Sequence, residues 1–246
     1  MKNTSRPIFQ GLIRRSLTLL LLLASQMPAQ ASGQEELILS KWIQSATSSN
    51  LGLALLAILN ECNRSLALNS LNYEANFKRG YLYGIIGCTD YALADLSKAI
   101  TINPGDSRAL TERGLCYMDC KQYDRAISDL NSAIQLKPQN GNALLARGRL
   151  WLLKGKPMMA IADLRACLSN DTKFTIELPG EYPANQYNAP AYYLGQCYES
   201  LGRPGDAAIY YKEALQAKSS SSSSGYLHRY ADQPVDTKYR VARLEQ

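Results

Sequence analysis

The sequence predicts an all-α fold, a solenoid of helix–turn–helix units. The first observation is a 34-residue period, seen in Gly80, Gly114 and Gly148. The second is that the segment 107–138 holds two short amphipathic stretches separated by a turn. The third is physical: one such unit cannot bury its own apolar face, so its copies must stack on one another.

Several further columns share the 34-residue period. An arginine precedes each of the three glycines, an aromatic residue follows three positions later, and alanine, aspartate and leucine columns come next. These columns contain Arg79, Arg113 and Arg147; Tyr83, Tyr117 and Trp151; Ala92, Ala126 and Ala160; Asp95, Asp129 and Asp163; and Leu96, Leu130 and Leu164. Pro104 and Pro138 close the first two units, because proline cannot continue a helix. We interpret the columns as scaffold, with glycine and alanine at the helix crossing.

This pattern resembles the tetratricopeptide repeat, which has a small eighth residue, an aromatic eleventh, alanine at the twentieth position and proline at the thirty-second. The units 73–106, 107–140 and 141–174 fit it, although Thr172 replaces proline in the third. A fourth clear unit spans 188–221, and 39–72 fits only as a degenerate first repeat or cap. The resemblance implies a right-handed helix–turn–helix solenoid of four clear repeats plus one degenerate repeat within 32–218. Residues 32–38 are expected to be a polar leader into a first helix that starts at Leu39.

Residues 1–31 have the three parts of a cleavable signal peptide. A positively charged region from Lys2 to Arg15 precedes a leucine-rich core at 17–24, and Ala29-Gln30-Ala31 fits a cleavage site. The core is far shorter than the roughly 20 residues that span a bilayer. We therefore predict export, to the periplasm or beyond, with an uncleaved anchor as the alternative.

The formal net charge of +6 comes mostly from that leader. Residues 32–246 carry 23 basic and 21 acidic side chains, so the exported chain is nearly neutral. Such a balance gives no reason to expect nucleic acid or an anionic membrane as the partner. We predict a protein partner, no nucleic acid and no stable membrane insertion after cleavage; the sequence leaves the oligomeric state open.

Two segments fall outside the repeats. The insertion 175–187 carries Tyr182 and Tyr187 and is either a tolerated surface loop or a contact element. Residues 219–246 form a serine-rich linker and a C-terminal tail, with a short helix expected near Lys238–Glu245. We expect a loosely attached tail; the alternative is that it caps the last repeat.

The residues of common catalytic and metal sites are scarce. His228, in the tail, is the only histidine, and the chain has no glycine-rich phosphate loop. Cys116 and Cys120 stand four apart, which is not the spacing of a redox motif. We predict a non-catalytic protein with no metal site and no cofactor.

The six cysteines all lie after the leader, which permits disulfides in an oxidising compartment. Stacking of antiparallel helices favours Cys88 with Cys120 as the first pair. Cys167 with Cys197, which would join neighbouring units across the insertion, is the second. The alternative is that several of them are small core residues.

The resemblance also implies a binding surface, a concave groove lined by the first helix of each repeat. Its second, fifth, ninth, twelfth and thirteenth positions correspond here to Phe77, Tyr81, Ile85, Arg108, Thr111, Leu115, Met118, Asp119, Asn142, Leu145, Arg149, Leu152, Leu153, Tyr192, Gln196 and Glu199. Several are large and apolar, and we expect them on a face that no neighbouring repeat covers. The alternative is that the insertion or the tail fills this groove.

These features together predict an exported protein–protein interaction scaffold. It would bind a peptide or helical segment of a partner, with affinity concentrated in anchors such as Phe77, Tyr81, Leu115 and Arg149. Assembly of an envelope or secretion complex is the expected context. An accessory or regulatory subunit of an envelope enzyme is the alternative.

Overall fold

A computed structural model of the chain describes residues 33–46, 50–169, 189–216 and 233–244. In these ranges every regular element is an α-helix, as the sequence predicts. The helices are α1 Gly33–Ala46, α2 Asn50–Leu68, α3 Tyr73–Ile86, α4 Thr89–Ile102, α5 Ser107–Asp119, α6 Tyr123–Leu136, α7 Gly141–Leu153, α8 Pro157–Ser169, α9 Ala189–Ser200, α10 Pro204–Gln216 and α11 Gln233–Leu244. Within these ranges, none of the helices has the length and apolar character needed to cross a membrane.

The chain divides into an N-terminal unit, Met1–Pro104, and a C-terminal unit, Gly105–Gln246. The N-terminal unit holds the pairs α1/α2 and α3/α4, and the C-terminal unit holds α5/α6, α7/α8 and α9/α10 followed by α11. Each pair packs face to face, and successive pairs within a unit pack on one another. The predicted solenoid of helix–turn–helix repeats is confirmed.

Side-chain caps fix where the first helices begin. Asn72 accepts a hydrogen bond from the Ala75 backbone N–H at 3.1 Å, and Asn140 accepts one from the Ala143 N–H in the same way. Such caps satisfy donors that have no partner inside a helix. The second helices α4 and α6 end two residues before Pro104 and Pro138, as predicted.

The glycine column marks the closest approach between the two helices of a pair. A Cβ atom at Gly114 would lie 3.0 Å from Cγ of Leu130, and one at Gly148 would lie 2.8 Å from Cγ of Leu164. In the last pair the gap is tighter still, because a Cβ at Gly195 would lie 2.5 Å from the Tyr211 ring. The glycine therefore permits the crossing, which confirms the sequence interpretation.

The arginine and aspartate columns meet as ion pairs inside three repeats. Arg79 donates to both carboxylate oxygens of Asp95, from Nε at 2.6 Å and from Nη2 at 2.8 Å. The other two repeats have the same fork-shaped contact, Arg113 with Asp129 and Arg147 with Asp163. The fourth clear repeat has Leu194 and Tyr210 at these positions.

The first helix starts earlier than the sequence pattern predicts. Residues 33–38 belong to α1 rather than to an irregular leader, so the predicted start at Leu39 is wrong. The reason is Glu35, whose carboxylate accepts a hydrogen bond of 2.6 Å from the Asp90 backbone N–H at the start of α4. Leu39 and Ile43 are then buried on the same face of α1.

Burial gives Glu35 an unusual titration. Glu35 is 6% exposed, and its second carboxylate oxygen, Oε2, has no hydrogen-bond partner in the described part of the chain. Desolvation raises the pKa of the Glu35 carboxyl above its usual 4.5, and the nearby Asp90 charge adds to the rise. The hydrogen bond from the Asp90 N–H acts in the opposite direction but is the weaker influence.

The tail contains a helix that packs on the last repeat. Helix α11 begins at Gln233, before the expected Lys238, and contacts both α9 and α10. Val241 and Leu244 pack against the core of the C-terminal unit, and Arg240 and Arg243 both pair with Glu199. This arrangement agrees with the capping alternative rather than with a loose tail.

Some predictions fall on residues that the structure does not describe. These are the signal peptide 1–31, the insertion 175–187, the serine run 219–224 and His228. They stay predictions from the sequence.

Candidate functional site

The predicted groove residues lie on the first helices α3, α5, α7 and α9. In the C-terminal unit α5 contacts α7, and α7 contacts α9, so these three helices stand side by side. Helix α3 belongs to the N-terminal unit.

The predicted residues of α3 form an aromatic stripe that is mostly buried. The Phe77 ring stacks between Tyr73 and Tyr81, with ring centroids 6.1 Å and 6.5 Å away. Phe77 is 1% exposed and Tyr81 is 8% exposed, whereas Ile85 is half-buried. The expectation of an uncovered aromatic face does not hold for Phe77 and Tyr81.

The predicted apolar residues of the C-terminal unit are mostly buried as well. Leu145 and Tyr192 belong to the hydrophobic core that joins α7, α8, α9 and α10, so packing within the unit covers them. Leu115 and Met118 on α5 are 8% and 7% exposed. Thr111 donates a hydrogen bond to the Ser107 carbonyl at 2.7 Å and accepts one from Asn140, which serves the packing of α5 on α7.

The accessible part of the predicted groove is therefore mainly polar. The half-buried or exposed members in the C-terminal unit, apart from Glu199, are Arg108, Asp119, Asn142, Arg149, Leu152, Leu153 and Gln196. Arg149 lies over the Tyr193 ring, 5.5 Å from its centroid, and Gln196 donates to the Tyr192 hydroxyl at 2.9 Å. Arg108 forms a fork-shaped ion pair with Asp106 at the start of α5.

One atom of this surface has an unmet hydrogen-bonding capacity. Asn142 lies at the start of α7, and its Oδ1 is buried without a hydrogen-bond partner among the described residues. A buried acceptor without a donor costs free energy, roughly 1–3 kcal/mol. The repeat spacing predicts Asn142 on the groove, but the isolation of its oxygen depends on neighbours that no spacing rule specifies.

Glu199 is also predicted to line the groove, but its carboxylate is bonded to other side chains of the same chain. It accepts hydrogen bonds from the Tyr211 hydroxyl at 2.7 Å and from Arg240 at 2.6 Å, and it also pairs with Arg243. The arginines of helix α11 thus neutralise the acidic side chain near the end of α9. No sequence signal indicates this contact, because a 16-residue segment separates α10 from α11.

The cysteines are mostly core residues. Cys62, Cys88, Cys116, Cys167 and Cys197 are buried, and Cys120 is half-buried. Burial raises the pKa of the Cys62 thiol to about 11 and that of the Cys88 and Cys197 thiols to about 12. The Cys88 sulfur lies 3.8 Å from the Glu35 carbonyl oxygen. The pairs Cys88–Cys120 and Cys167–Cys197 stay predictions, to be tested by peptide masses before and after reduction.

Among the described residues, no group of three histidine, cysteine, aspartate or glutamate side chains is placed to hold a metal ion. The half-buried surface of the C-terminal unit presents hydrogen-bonding and charged side chains to solvent.

Comparison with known proteins identifies the repeat. Two family models, both described as tetratricopeptide repeat, match residues 107–140 and 188–222, in agreement with the predicted units 107–140 and 188–221. The chain contains tetratricopeptide repeats. A comparison with curated protein sequences gave no match.

Solved structures show the same fold at low sequence identity. A thermophilic TPR protein from Thermus thermophilus aligns with a TM-score of 0.57 and 20% identity, over 86% of this chain and 98% of that one. The PilF protein of Pseudomonas aeruginosa aligns with a TM-score of 0.55 and 20% identity, over 70% of this chain and 67% of that one. YrrB is described as a TPR protein with an unusual peptide-binding site. It aligns with a TM-score of 0.50 and 18% identity, over 72% of this chain and 84% of that one. Tetratricopeptide repeats mediate protein–protein interaction and are in general non-catalytic.

Proposed function

We propose that this protein is a non-catalytic scaffold that binds an extended or helical segment of a partner protein along α5, α7 and α9. The observation that carries the proposal is that Oδ1 of Asn142, on the face that the family uses for binding, has no hydrogen-bond partner among the described residues. A backbone N–H of a bound segment would donate to it. The peptide-binding site named for YrrB supports this class of ligand.

The polar side chains on the same face of α5, α7 and α9 define what the ligand should offer. Arg149 and Gln196 supply donors on α7 and α9, and Asp119 supplies an acceptor at the end of α5. A segment with exposed backbone groups and an acidic side chain near Arg149 fits this arrangement. Because Phe77, Tyr81 and Leu115 are buried, we assign the binding contacts to the polar residues instead of to these predicted anchors.

A pull-down with quantified binding tests this assignment. Asn142→Ala removes the acceptor and should weaken capture of the partner about tenfold, since one hydrogen bond contributes about 1–1.5 kcal/mol. Gln135→Ala, an exposed position on the second helix α6, is the matched control and should bind as the wild type does. Capture that survives Asn142→Ala combined with Arg149→Glu would show that the partner binds elsewhere.

We further propose that the scaffold works in an exported compartment, in the assembly of an envelope or secretion complex. The support is the leader 1–31 with its cleavage pattern at Ala29-Gln30-Ala31. N-terminal sequencing of protein from the periplasm or medium should start at Ser32. A protein that stays with the cytosolic fraction and keeps Met1 would refute export. The second candidate is an accessory subunit of an envelope enzyme, which a partner with turnover that depends on this protein would favour.

A further inference from the structure

The N-terminal unit contains a cavity that the groove hypothesis does not use. It has a volume of about 220 Å³ and lies between the end of α2 and the helices α3 and α4. Its lining residues are Asn63, Leu66, Ala67, Ser70, Asn76, Arg79 and Lys98. Asn76 and Arg79 stand on a different face of α3 from Phe77 and Tyr81, so the cavity is separate from the predicted groove.

Asn76 is the unexplained residue of this cavity. It is 1% exposed, and its Nδ2 donates to the carbonyls of Ser70 at 3.0 Å and Asn72 at 2.8 Å, which fixes the orientation of the amide. Its Oδ1 is buried and has no hydrogen-bond partner among the described residues. The next two repeats have Leu110 and Leu144 at this position, so the repeat scaffold itself does not require a polar group here.

The opposite side of the cavity supplies donors and one net positive charge. Three of the N–H groups of Arg79 are bonded, two to Asp95 and one to Asn63, and a guanidinium has five. Asp95 neutralises Arg79, but no carboxylate in the described part of the chain pairs with Lys98. The following repeats have Ser132 and Ala166 where this one has Lys98.

The cavity thus combines an acceptor that has no partner in the described part of the chain with a cationic set of donors. We propose that it binds a carboxylate that carries an amide N–H one carbon away, as in the C-terminal residue of a polypeptide or an N-acyl amino acid. The carboxylate accepts hydrogen bonds from Lys98 and Arg79, the amide N–H donates to Asn76 Oδ1, and a small side chain contacts Leu66 and Ala67. The volume is below the roughly 300–1,000 Å³ of pockets for drug-sized ligands, so one terminal residue is the right size.

Titration of the full-length protein with N-acetylalanine, followed by NMR or calorimetry, tests the proposal. A dissociation constant of about 1–10 mM is expected for so small a ligand. N-acetylalaninamide lacks the carboxylate and should bind at least tenfold more weakly. N-acetyl-N-methylalanine lacks the N–H and should lose a similar factor. A peptide with a free C-terminal alanine that binds at least as tightly assigns the site to chain ends, whereas binding of the single residue alone assigns it to a small molecule.

Matched variants connect binding to the cavity. Lys98→Ser, the residue of the next repeat, should weaken N-acetylalanine binding about tenfold, because a charge-assisted hydrogen bond is lost. Lys78→Ser removes an equal charge from an exposed position outside the cavity and should leave binding unchanged. Asn76→Leu should also abolish the preference for an N–H, with its folding checked by thermal unfolding. Three results would each overturn the proposal. The first is no binding of N-acetylalanine at 20 mM, about twice the weakest expected dissociation constant. The others are equal affinity for N-acetylalanine and N-acetylalaninamide, and equal affinity of Lys98→Ser and the wild type for N-acetylalanine.

Discussion

The repeated arginine–aspartate pair provides the sharpest test of how the repeats are stabilised. In the N-terminal unit Arg79 and Asp95 have side chains only 10% and 3% exposed, and Arg79 also donates to Asn63 at 2.8 Å. Asp95→Leu leaves this guanidinium buried without its counter-charge. Removing one partner of a buried pair costs about 3–5 kcal/mol, and we expect a loss in that range.

The equivalent pair in the C-terminal unit should be less costly to break. The side chains of Arg147 and Asp163 are 21% and 9% exposed, and the second partner of Arg147, Asn131, is exposed to solvent. Water can therefore solvate part of the unpaired guanidinium. Asp163→Leu should cost about 2–3 kcal/mol, between the values for exposed and for fully buried pairs.

The fourth clear repeat suggests the matched control. It has Leu194 and Tyr210 at the two positions, which shows that this packing accepts an apolar pair. The double variant Arg147→Leu with Asp163→Tyr should then be within about 1 kcal/mol of the wild type, since it leaves no charge unpaired.

Urea unfolding followed by far-UV circular dichroism measures these changes as shifts of the midpoint at constant slope. A smaller loss for Asp95→Leu than for Asp163→Leu would refute burial as the cause of the loss. A double variant as unstable as Asp163→Leu alone would refute the role of the unpaired charge.

Three further predictions concern packing and titration. Gly195→Ala should destabilise the fold by about 1–3 kcal/mol, measured by urea unfolding, because the rigid Tyr211 ring cannot move aside as a leucine can; unchanged stability would contradict this crossing geometry. Because the folded state raises the pKa of Glu35, the folded protein binds the proton more tightly, and its stability should fall as the pH rises through the usual 4.5 towards the raised value. Glu35→Gln should remove that pH dependence in thermal unfolding from pH 4 to 8, and a parallel profile for both proteins would refute it. Glu199→Ala should speed hydrogen exchange of the α11 amides about tenfold, since it removes the acceptor shared with Tyr211 and the two arginines; unchanged exchange would mean that apolar packing alone holds the helix.

The sequence predicts the scaffold well because the scaffold repeats. The glycines at 114 and 148 and the leucines at 130 and 164 sit at one period, and each repeat supplies independent evidence for the same helix crossing. The columns of Arg113 and Asp129 are likewise visible in the sequence, but only the structure shows that the two side chains pair as a fork.

The exposure of the groove was harder to predict from the sequence. A position in the repeat states which helix face a side chain stands on, but burial depends on the size of the neighbours. Tyr192 is covered because Tyr193 and Tyr211 fill the space beside it, with ring centroids 5.2 Å and 5.8 Å away. Likewise, the sequence around Glu35 indicates only an ordinary acidic residue in the first turn of a helix. Its structural role comes from the contact with Asp90, 55 residues later.

The buried thiols have a consequence for the order of events during biogenesis. The thiolate is the species that attacks in oxidation and exchange, and a pKa of about 12 leaves the Cys88 and Cys197 thiols almost entirely protonated at neutral pH. Burial and protonation together slow the oxidation of these thiols in the folded protein, so a disulfide that uses them forms more readily before folding or during a transient opening of the helix pair. In the reduced protein, each buried cysteine can serve as a probe of local opening. Because the thiol is buried and protonated in the folded state, its rate of alkylation reports how often its own repeat opens.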